Sequence, residues 1–440
     1  MIALDLFSGA GGLAEGFSRE GFYVAAHVEK EKWMCETLKT RDIYNFLYNH
    51  NDLRVYFDYL KSGVTYRNFE EGRIPIFQKY PELQKRVSDA SICKAFGDPA
   101  VEEEVSDTNE IIVDIESALN NTGANAIDVI IGGPPCQAFS VVARHVQNRI
   151  RDEIKLNLYT YYLKVLGYFR PKMFVFENVP GITSMARGEI FQKICEEFDK
   201  VGYTLMCSLG KTAAENIFNA LDFGVCQNRR RIILIGIRKD ISAEYPNFGK
   251  YQIYQSGELT TRTAIGDLPP LCAGENEDHI LYSYVAGEAE NNFQRLMRQN
   301  SCGVINHKAR PNQQRDLEIY QICIEGKYRR YKELPEHLKT HKNQGGFEDR
   351  FRVHHWDKTP HTIMAHISKD GHYNIHPDML QCRSITVREA ARIQSFPDNY
   401  KFEGPRTSQF VQVGNAVPPL MAQTIAQEIK LILLRSYENE

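Results

Sequence analysis

Three separated positions carry side chains that could act together on one substrate: a thiol at Cys136, a carboxylate at Glu177, and guanidinium groups at Arg229 and Arg231. Cys136 follows Gly132-Gly133-Pro134-Pro135, directly after the apolar run Val129 to Ile131. Each proline fixes φ near about −65° and removes a backbone donor, so the loop is stiff. A stiff loop that presents a thiol at a strand end suits a nucleophile that must be aimed. The plainer alternative is a buried cysteine in a turn, the usual state of a free thiol. Glu177 ends the apolar run Phe174-Val175-Phe176, and Arg229 to Arg231 lead into another. Alternation along a strand would send Arg229 and Arg231 to one face and Arg230 to the other. Taken singly, Glu177 reads equally as a loop carboxylate and the arginines as solvated charge on an edge strand.

Together the three groups make a reaction. A thiolate that adds to C6 of cytosine turns C5 into a nucleophile able to accept a methyl group. A carboxyl group near N3 shares a proton as charge builds there, and an arginine near O2 stabilises the same charge. A base then removes the C5 proton and the thiol leaves.

A second constellation lies at the start of the chain, Asp5-Leu6-Phe7-Ser8-Gly9-Ala10-Gly11-Gly12. Glycines between a first strand and its helix let a ligand approach the backbone closely. Glu29 ends the following strand about 20 residues on, where an acid can accept bonds from ribose hydroxyls. On this feature alone a nicotinamide enzyme and an adenosylmethionine enzyme stand level.

The elements that must position these residues read as alternating strands and helices. The spacing predicts strands at 2–7, 22–28, 126–131, 173–177, 205–209 and 232–237, with helices at 13–20, 156–169 and 189–201 between them. Such a rhythm implies an α/β fold with a mostly parallel, doubly wound sheet. After residue 240 the rhythm stops, and the chain to 380 is irregular, polar, basic and aromatic, which suggests a second, smaller domain. Helical periodicity returns at 386–394 and 419–433. Residues 41–95 are an insertion between sheet elements.

The totals bound the class. The 440 residues, 42% hydrophobic and 25% charged, form a globular chain with no need of disulfides. No apolar run approaches the roughly 18 residues of a bilayer span, and no basic segment precedes Ile2 to Phe7, so a soluble cytoplasmic protein without a signal peptide is expected. Ten cysteines lie far apart with no C-x-x-C pair. His372, His376 and Cys382 lie near one another but match no standard zinc spacing, so no metal is expected. Net charge is −3, yet residues 295–360 hold 14 Lys/Arg against 8 Asp/Glu with five His interleaved, while residues 98–117 hold eight Asp/Glu and no Lys/Arg. A mildly acidic chain can therefore still present a basic face to nucleic acid.

The motifs resemble those of the DNA (cytosine-5)-methyltransferases of bacterial or phage type, the modification methylases. The resemblance rests on Asp5 to Gly12, Gly133-Pro134-Pro135-Cys136-Gln137, Glu177-Asn178-Val179, Gln227 to Arg231, Arg383 to Pro397, and Gln412-Val413-Gly414-Asn415-Ala416-Val417-Pro418, in the family's order over nearly the whole chain. It implies a Rossmann-like, S-adenosyl-L-methionine-dependent catalytic domain at 1–240 with the insertion near 41–95. A target-recognition domain at 241–382, a connection at 383–410 and a C-terminal return at 411–440 would follow. It implies that Cys136 is the nucleophile, that Glu177 acts at N3, and that Arg229 and Arg231 are the paired arginines of the pocket.

For the cofactor, the resemblance implies Asp5, Phe7, Gly9, Gly11 and Gly12 around the turn, Glu29 on the ribose, and Pro134 and Leu158 on the adenine side. Asn415 and Val417 would close the pocket, with the last helix beside the first strand. The acid expected at the adenine amine is Asp98. Asp114 is better spaced before Cys136, but Ile111, Ile112, Ile115 and Leu119 place it in a helix. The partner implied is double-stranded DNA with the target base extruded, as base-modifying enzymes require. A cognate restriction endonuclease would act separately, and the enzyme would be a monomer. Two alternatives stay open at this point: a tRNA cytosine-5 methyltransferase of the same core, and an NAD-dependent oxidoreductase resting on the glycine turn alone.

Overall fold

Short apolar runs separated by helices form one eight-stranded sheet. The computed structural model describes residues 1–97, 99, 105–135, 158–206, 216–248, 258–284, 289–326, 331–339 and 350–438. The strands are β1 (Ile2–Leu6), β2 (Tyr23–Glu29), β3 (Ser91–Cys93), β4 (Val129–Gly132), β5 (Met173–Asn178), β6 (Tyr203–Leu205), β7 (Ile217–Asn219) and β8 (Arg230–Arg238). Their order is β3-β2-β1-β4-β5-β8-β6, with β7 also on β8. The pairings among β1 to β5 are parallel, and β8 runs antiparallel to β5, β6 and β7. The doubly wound sheet read from the sequence is thus present, with an antiparallel edge added. Alternate residues serve opposite layers: Leu4, Ile130, Phe174 and Ile232 enter one core, and Ala3, Ile131, Val175 and Ile233 the other. Burial on both faces is why these strands read as continuous apolar runs.

The chain leaves β1 toward β2 and β3, then returns to β4 on the other side. This reversal opens a crevice at the carboxyl ends of β1 and β4, the place where open α/β sheets bind ligands. The glycine turn follows β1 and the Pro-Pro loop follows β4, so both flank it.

The insertion between β2 and β3 is helical: Lys32–Asn49, Leu53–Lys61, Phe69–Lys79 and Pro81–Ala90. Its first helix begins at Lys32, ahead of the expected boundary, and it has its own core of Ile43, Phe46, Tyr56, Tyr59, Leu60 and Leu83 packed on Ile305. Strand β3 gives no periodic signal because it is three residues long. The last helix, Pro419–Glu438, packs on the first helix, Gly12–Arg19, and its Ile425, Ile429 and Leu433 share a core with Ala3 of the first strand. A Cβ on Gly16 would lie 2.4 Å from the Ala422 carbonyl carbon, so glycine there lets the two helices touch backbone to backbone.

Leu259, Ile265, Leu268, Phe293, Met297, Val304 and Ile363 join the core on one face of the sheet. A separate core forms further along from Tyr320, Cys323, Tyr331, Leu338, Phe351 and Ile375. His372 lies on the Tyr320 hydroxyl at 2.8 Å, His376 faces Glu389 at 3.6 Å, and the Cys382 thiol donates to the Leu317 carbonyl at 3.3 Å. The three residues singled out for their zinc-like proximity are directed to different partners. No helix among the described residues is long and apolar enough to cross a membrane.

The segment expected as a plain connection is among the most buried in the molecule. A capping box of Thr386 and Glu389 starts its helix, Val387–Ile393. Arg383 binds Glu389 with two hydrogen bonds of 2.8 and 2.7 Å. Arg388 donates to the carbonyls of Ile305, Pro397 and Tyr400. Arg392 joins Asp398 (2.5 and 2.7 Å) and Asp267 (3.0 and 3.2 Å) with no exposed surface. Removing one member of a buried ion set leaves its partners desolvated and uncompensated, at about 3–5 kcal/mol. Arg392→Met should therefore lower the urea unfolding free energy by about that amount, and an unchanged midpoint would show that the set carries no weight.

Candidate active site

The glycine turn is held in a conformation that few residues adopt. Gly9 (φ 56°) and Gly11 (φ 76°) are left-handed, and so is Phe7 (φ 54°). For a phenylalanine this costs about 1–3 kcal/mol and persists only where surroundings impose it. The result is that the half-buried Phe7 ring lies on Phe96, centroids 5.0 Å apart, and Phe96 in turn stacks on Tyr161 at 6.1 Å. Tyr161 stands one turn after Leu158 on the helix Leu158–Phe169, so an aromatic row lines this side of the crevice. Phe96 carried no signal of its own in the sequence beyond lying two residues before Asp98.

Glu29 closes the turn from the end of β2. Its carboxylate accepts from the backbone N–H of Gly9 (2.8 Å), Lys30 (2.8 Å) and Glu31 (2.9 Å). A carboxylate offers about four acceptor sites, so one remains for a ligand hydroxyl. Burial raises the Glu29 pKa against the pull of those three amides. Beneath the turn, wholly buried Asp5 faces His27 Nδ1 at 3.3 Å, and His27 Nε2 faces Asp42 at 3.5 Å. Burial alone would neutralise the imidazole, but Asp42 and Asp5 outweigh it and lift its pKa to about 10.

Because the folded pKa of His27 stands above its ordinary value, the set contributes stability that is whole below about pH 6.5 and is lost as pH rises toward about 10. Urea unfolding between pH 6.5 and 9.5 should show the gap between wild type and His27→Gln closing with rising pH. A pH-independent gap would mean that His27 is not an imidazolium.

Across the crevice, Glu177 ends β5 and meets the start of β8. Arg231 Nε donates to Glu177 Oε1 at 2.8 Å, with the two side chains only 15% and 13% exposed. A Cβ on Gly133 would lie 2.6 Å from Glu177 Oε2, so a bare glycine in the Pro-Pro loop makes room for the carboxylate. Asn178 Nδ2 donates to the carbonyl of Pro134 at 3.4 Å and ties the same loop to β5. Burial pushes the Glu177 pKa up, and Arg231 and then Arg229 pull it back only in part. A carboxyl poised nearer to protonation is suited to sharing a proton with a ring nitrogen.

Arg229 behaves differently from Arg231. It lies before β8, in a turn, so strand alternation does not govern it. Its guanidinium donates to the carbonyls of Ile363 (2.8 Å) and Gly414 (3.0 Å), and its Nε has no hydrogen-bond partner among the described residues. Burial, then Arg231, pull its pKa well down, against Glu177. Gln227, the first residue of the Gln227 to Arg231 motif, accepts from Ile363 N at 2.7 Å and donates to Gln394 at 2.8 Å. Arg229 and Gln227 thus pin the 363–365 chain and the helix Arg406–Asn415 to the site.

Val417 brings its carbonyl to Gly12, where a Cβ would lie 2.1 Å from that oxygen. Asn415 is exposed and Leu158 half-buried. Cys136 and Asp98 lie outside the described residues. Asp114 sits on the helix Thr108–Asn120, paired with Lys94 at 2.7 Å. Part of the basic stretch is used inside the protein: Arg298 binds Asp267, Lys308 binds Glu277, and Arg310 donates to the carbonyls of Ile367 and Lys369.

The residues present fit a methyl donor with an amino-acid tail. Among the described residues, nothing lies within 4 Å of where a Cβ would stand on Gly9. The Asp5 Oδ1 atom is buried with no hydrogen-bond partner among the described residues.

A switch-point crevice with a glycine turn on one wall and a carboxylate on the other belongs to a Rossmann-like methyltransferase fold. The crystal structure of a prophage-encoded protein from E. coli, assigned as a DNA modification methyltransferase, shares that fold with a TM-score of 0.61 at 21% identity, covering 99% of both chains. The family model of the C-5 cytosine-specific DNA methylases matches residues 1–54 and 102–431, and the chain belongs to this family of cytosine-5 DNA methyltransferases. It is 49% identical to the type II methyltransferase M.Bpa9945I of Bacillus paralicheniformis over 98% of this chain and 99% of that one. It is 29% identical to M.DdeI of Desulfomicrobium norvegicum over 98% of this chain and 88% of that one. The family favours the DNA reading over the tRNA and nicotinamide alternatives, and its reaction draws on S-adenosylmethionine as methyl donor.

Proposed function

We propose that the chain methylates C5 of cytosine within a specific duplex DNA sequence through a covalent bond between Cys136 and C6 of an extruded base. The observation that carries the assignment is the Glu177 carboxylate, packed against Gly133 of the Pro-Pro-Cys loop and fixed by Arg231. That contact puts the proposed N3 acid three residues from the proposed nucleophile's position in the chain.

The Cys136 thiolate forms a bond to C6, and the C5–C6 π electrons become available at C5. Glu177 delivers a proton toward N3 as charge builds on the ring, and Arg231 holds the carboxyl in place. Arg231, partly exposed beside Glu177, also stabilises the O2 side of that charge, while Arg229 anchors the chain around Ile363 and Gly414. Bound at the turn, S-adenosylmethionine supplies an electrophilic methyl group. Loss of the C5 proton to a base then re-forms the double bond and expels the thiolate.

For the cofactor, Asp5, Phe7, Gly9, Gly11, Gly12 and Glu29 form one wall, with Pro134, Leu158, Asn415 and Val417 around it. Phe96, two residues before Asp98, packs at a tilt against Phe7, which supports the choice of Asp98 as the acid at the adenine amine. We assign target recognition to 241–382, an assignment supported by the separate core around Tyr320 and Phe351. We further propose action as a monomer in the cytoplasm of a bacterium or phage-infected host, and the type II naming of the relatives favours a separate endonuclease of matching specificity.

Cys136→Ser should abolish methyl transfer from tritiated S-adenosylmethionine to mixed genomic DNA. Duplexes carrying 5-fluorocytosine at the methylated position should give a denaturant-stable protein–DNA adduct, because fluorine blocks the elimination. Full activity in the serine variant, or no adduct with active enzyme, would sink the covalent mechanism. Glu177→Gln should lower kcat by about 10²–10⁴-fold while leaving DNA affinity near wild type, as expected for loss of an acid–base group.

A further inference from the structure

The helices between β2 and β3 are the part of the chain that this reaction does not use. Residues 55–101 fall outside the segments matched to the family. Their buried polar side chains nevertheless converge on one segment, Asn399 to Glu403. Tyr56 donates its hydroxyl to the Asn399 carbonyl at 2.9 Å, and Tyr59 to Glu403 Oε1 at 2.8 Å. Lys401 Nζ donates to the Tyr59 hydroxyl at 2.8 Å and lies 3.2 Å from Glu403. Arg73 donates to Glu36 and to Thr40 Oγ1, each at 2.6 Å, and Thr40 donates to Glu403 at 2.8 Å. Burial alone would raise the Glu403 pKa, but Lys401 and Arg73 hold it below its ordinary value. A desolvated ion set tolerates only one geometry, so the segment it holds is fixed.

That segment touches the cofactor turn. The Tyr400 hydroxyl donates to the Ala10 carbonyl at 2.5 Å. A Cβ on Gly11 would lie 2.9 Å from the same hydroxyl and 2.7 Å from Leu38. Arg41 is a second strut. It grips Glu15 of the first helix with bonds of 2.6 and 2.7 Å and Asn399 with one of 2.8 Å. Its guanidinium lies over the rings of Tyr44 and Tyr400, 3.9 and 4.9 Å from their centroids.

We infer that the helical insertion is a brace for the cofactor turn, and that Tyr400 and Arg41 are positioning residues that fix the Ala10–Gly12 backbone from behind. The inference rests on reading that turn as the S-adenosylmethionine site.

Two variants test it. Tyr400→Phe removes one hydroxyl at the turn, and Tyr59→Phe cuts the brace at a residue that does not touch the turn. In cofactor-free protein both should speed hydrogen exchange at the Gly9 and Gly11 amides. Calorimetry should show S-adenosylmethionine binding weakened about 2–10-fold by Tyr400→Phe, the worth of one hydrogen bond, and weakened less by Tyr59→Phe. DNA affinity and kcat at saturating cofactor should stay within about twofold, since neither residue meets the reacting atoms. If Tyr400→Phe does not fold, Tyr59→Phe carries the test alone. Unchanged exchange and unchanged cofactor affinity, even with a lowered melting temperature, would overturn the brace. A wild-type protein that binds no S-adenosylmethionine would overturn the site assignment itself, and the brace with it.

Discussion

A backbone carbonyl from the end of the chain occupies the space where a side chain at Gly12 would stand. The Val417 oxygen lies 2.1 Å from that point, closer than any side chain could be accommodated. The same device recurs nearby. A Cβ on Gly16 would meet the Ala422 backbone, and one on Gly414 would lie 2.2 Å from the Ala365 nitrogen. Three bare α-carbons therefore let backbone meet backbone, where no rotamer change can relieve a misfit. The glycine turn, the first helix, the last helix and the 363–365 chain are packed through these close backbone approaches. Every group in the crevice inherits its position from that contact.

Charge does the rest of the positioning, and most of it is hidden. Arg383, Arg388 and Arg392 spend their donors on carboxylates and backbone carbonyls without reaching solvent. Arg229 follows the same pattern, while Arg231 is the one that meets Glu177. Two arginines two residues apart thus divide the work: one assembles the walls, the other holds the reactive carboxyl. The pair Asp5 and His27 under the turn is a third use of charge, setting the end of β1 against β2.

Much of this was legible in the sequence, for physical reasons. Glycine turns, a Pro-Pro loop and apolar runs ending in a carboxylate are local features, and the sheet brought Gly133, Glu177 and Arg231 together as expected. Arg229 was harder. The alternation argument assumes a strand, and the residue precedes one. Tyr400 and Arg41 gave no warning because their partners lie far along the chain: Tyr400 and Ala10 are 390 residues apart. The insertion was opaque for a related reason. Its helices bury polar side chains against a distant segment, so their apolar periodicity is diluted; the helix Lys32–Asn49 buries Glu36, Thr37, Thr40 and Arg41 alongside its apolar residues. The family resemblance implies a connection at 383–410, and the burial of that stretch was not legible because charged residues are rarely found wholly buried unless paired.

The reversed direction of β8 has a consequence for the other end of the sheet. Met173 pairs with Ile237 and Asn178 with Ile232, so the first residues of β8 arrive at the carboxyl end of β5. A parallel strand of the same length would have delivered Arg231 to the opposite rim, about 20 Å away at about 3.4 Å per residue. By turning back, the chain gathers its chemistry on one rim and leaves the other to structure alone. There Arg238 is bound to Asp240 and to the Arg170 carbonyl, and Tyr437 is hydrogen-bonded to Asp128. Changes to the loops of that rim would leave the reacting groups about 20 Å away, the length of the strand between them.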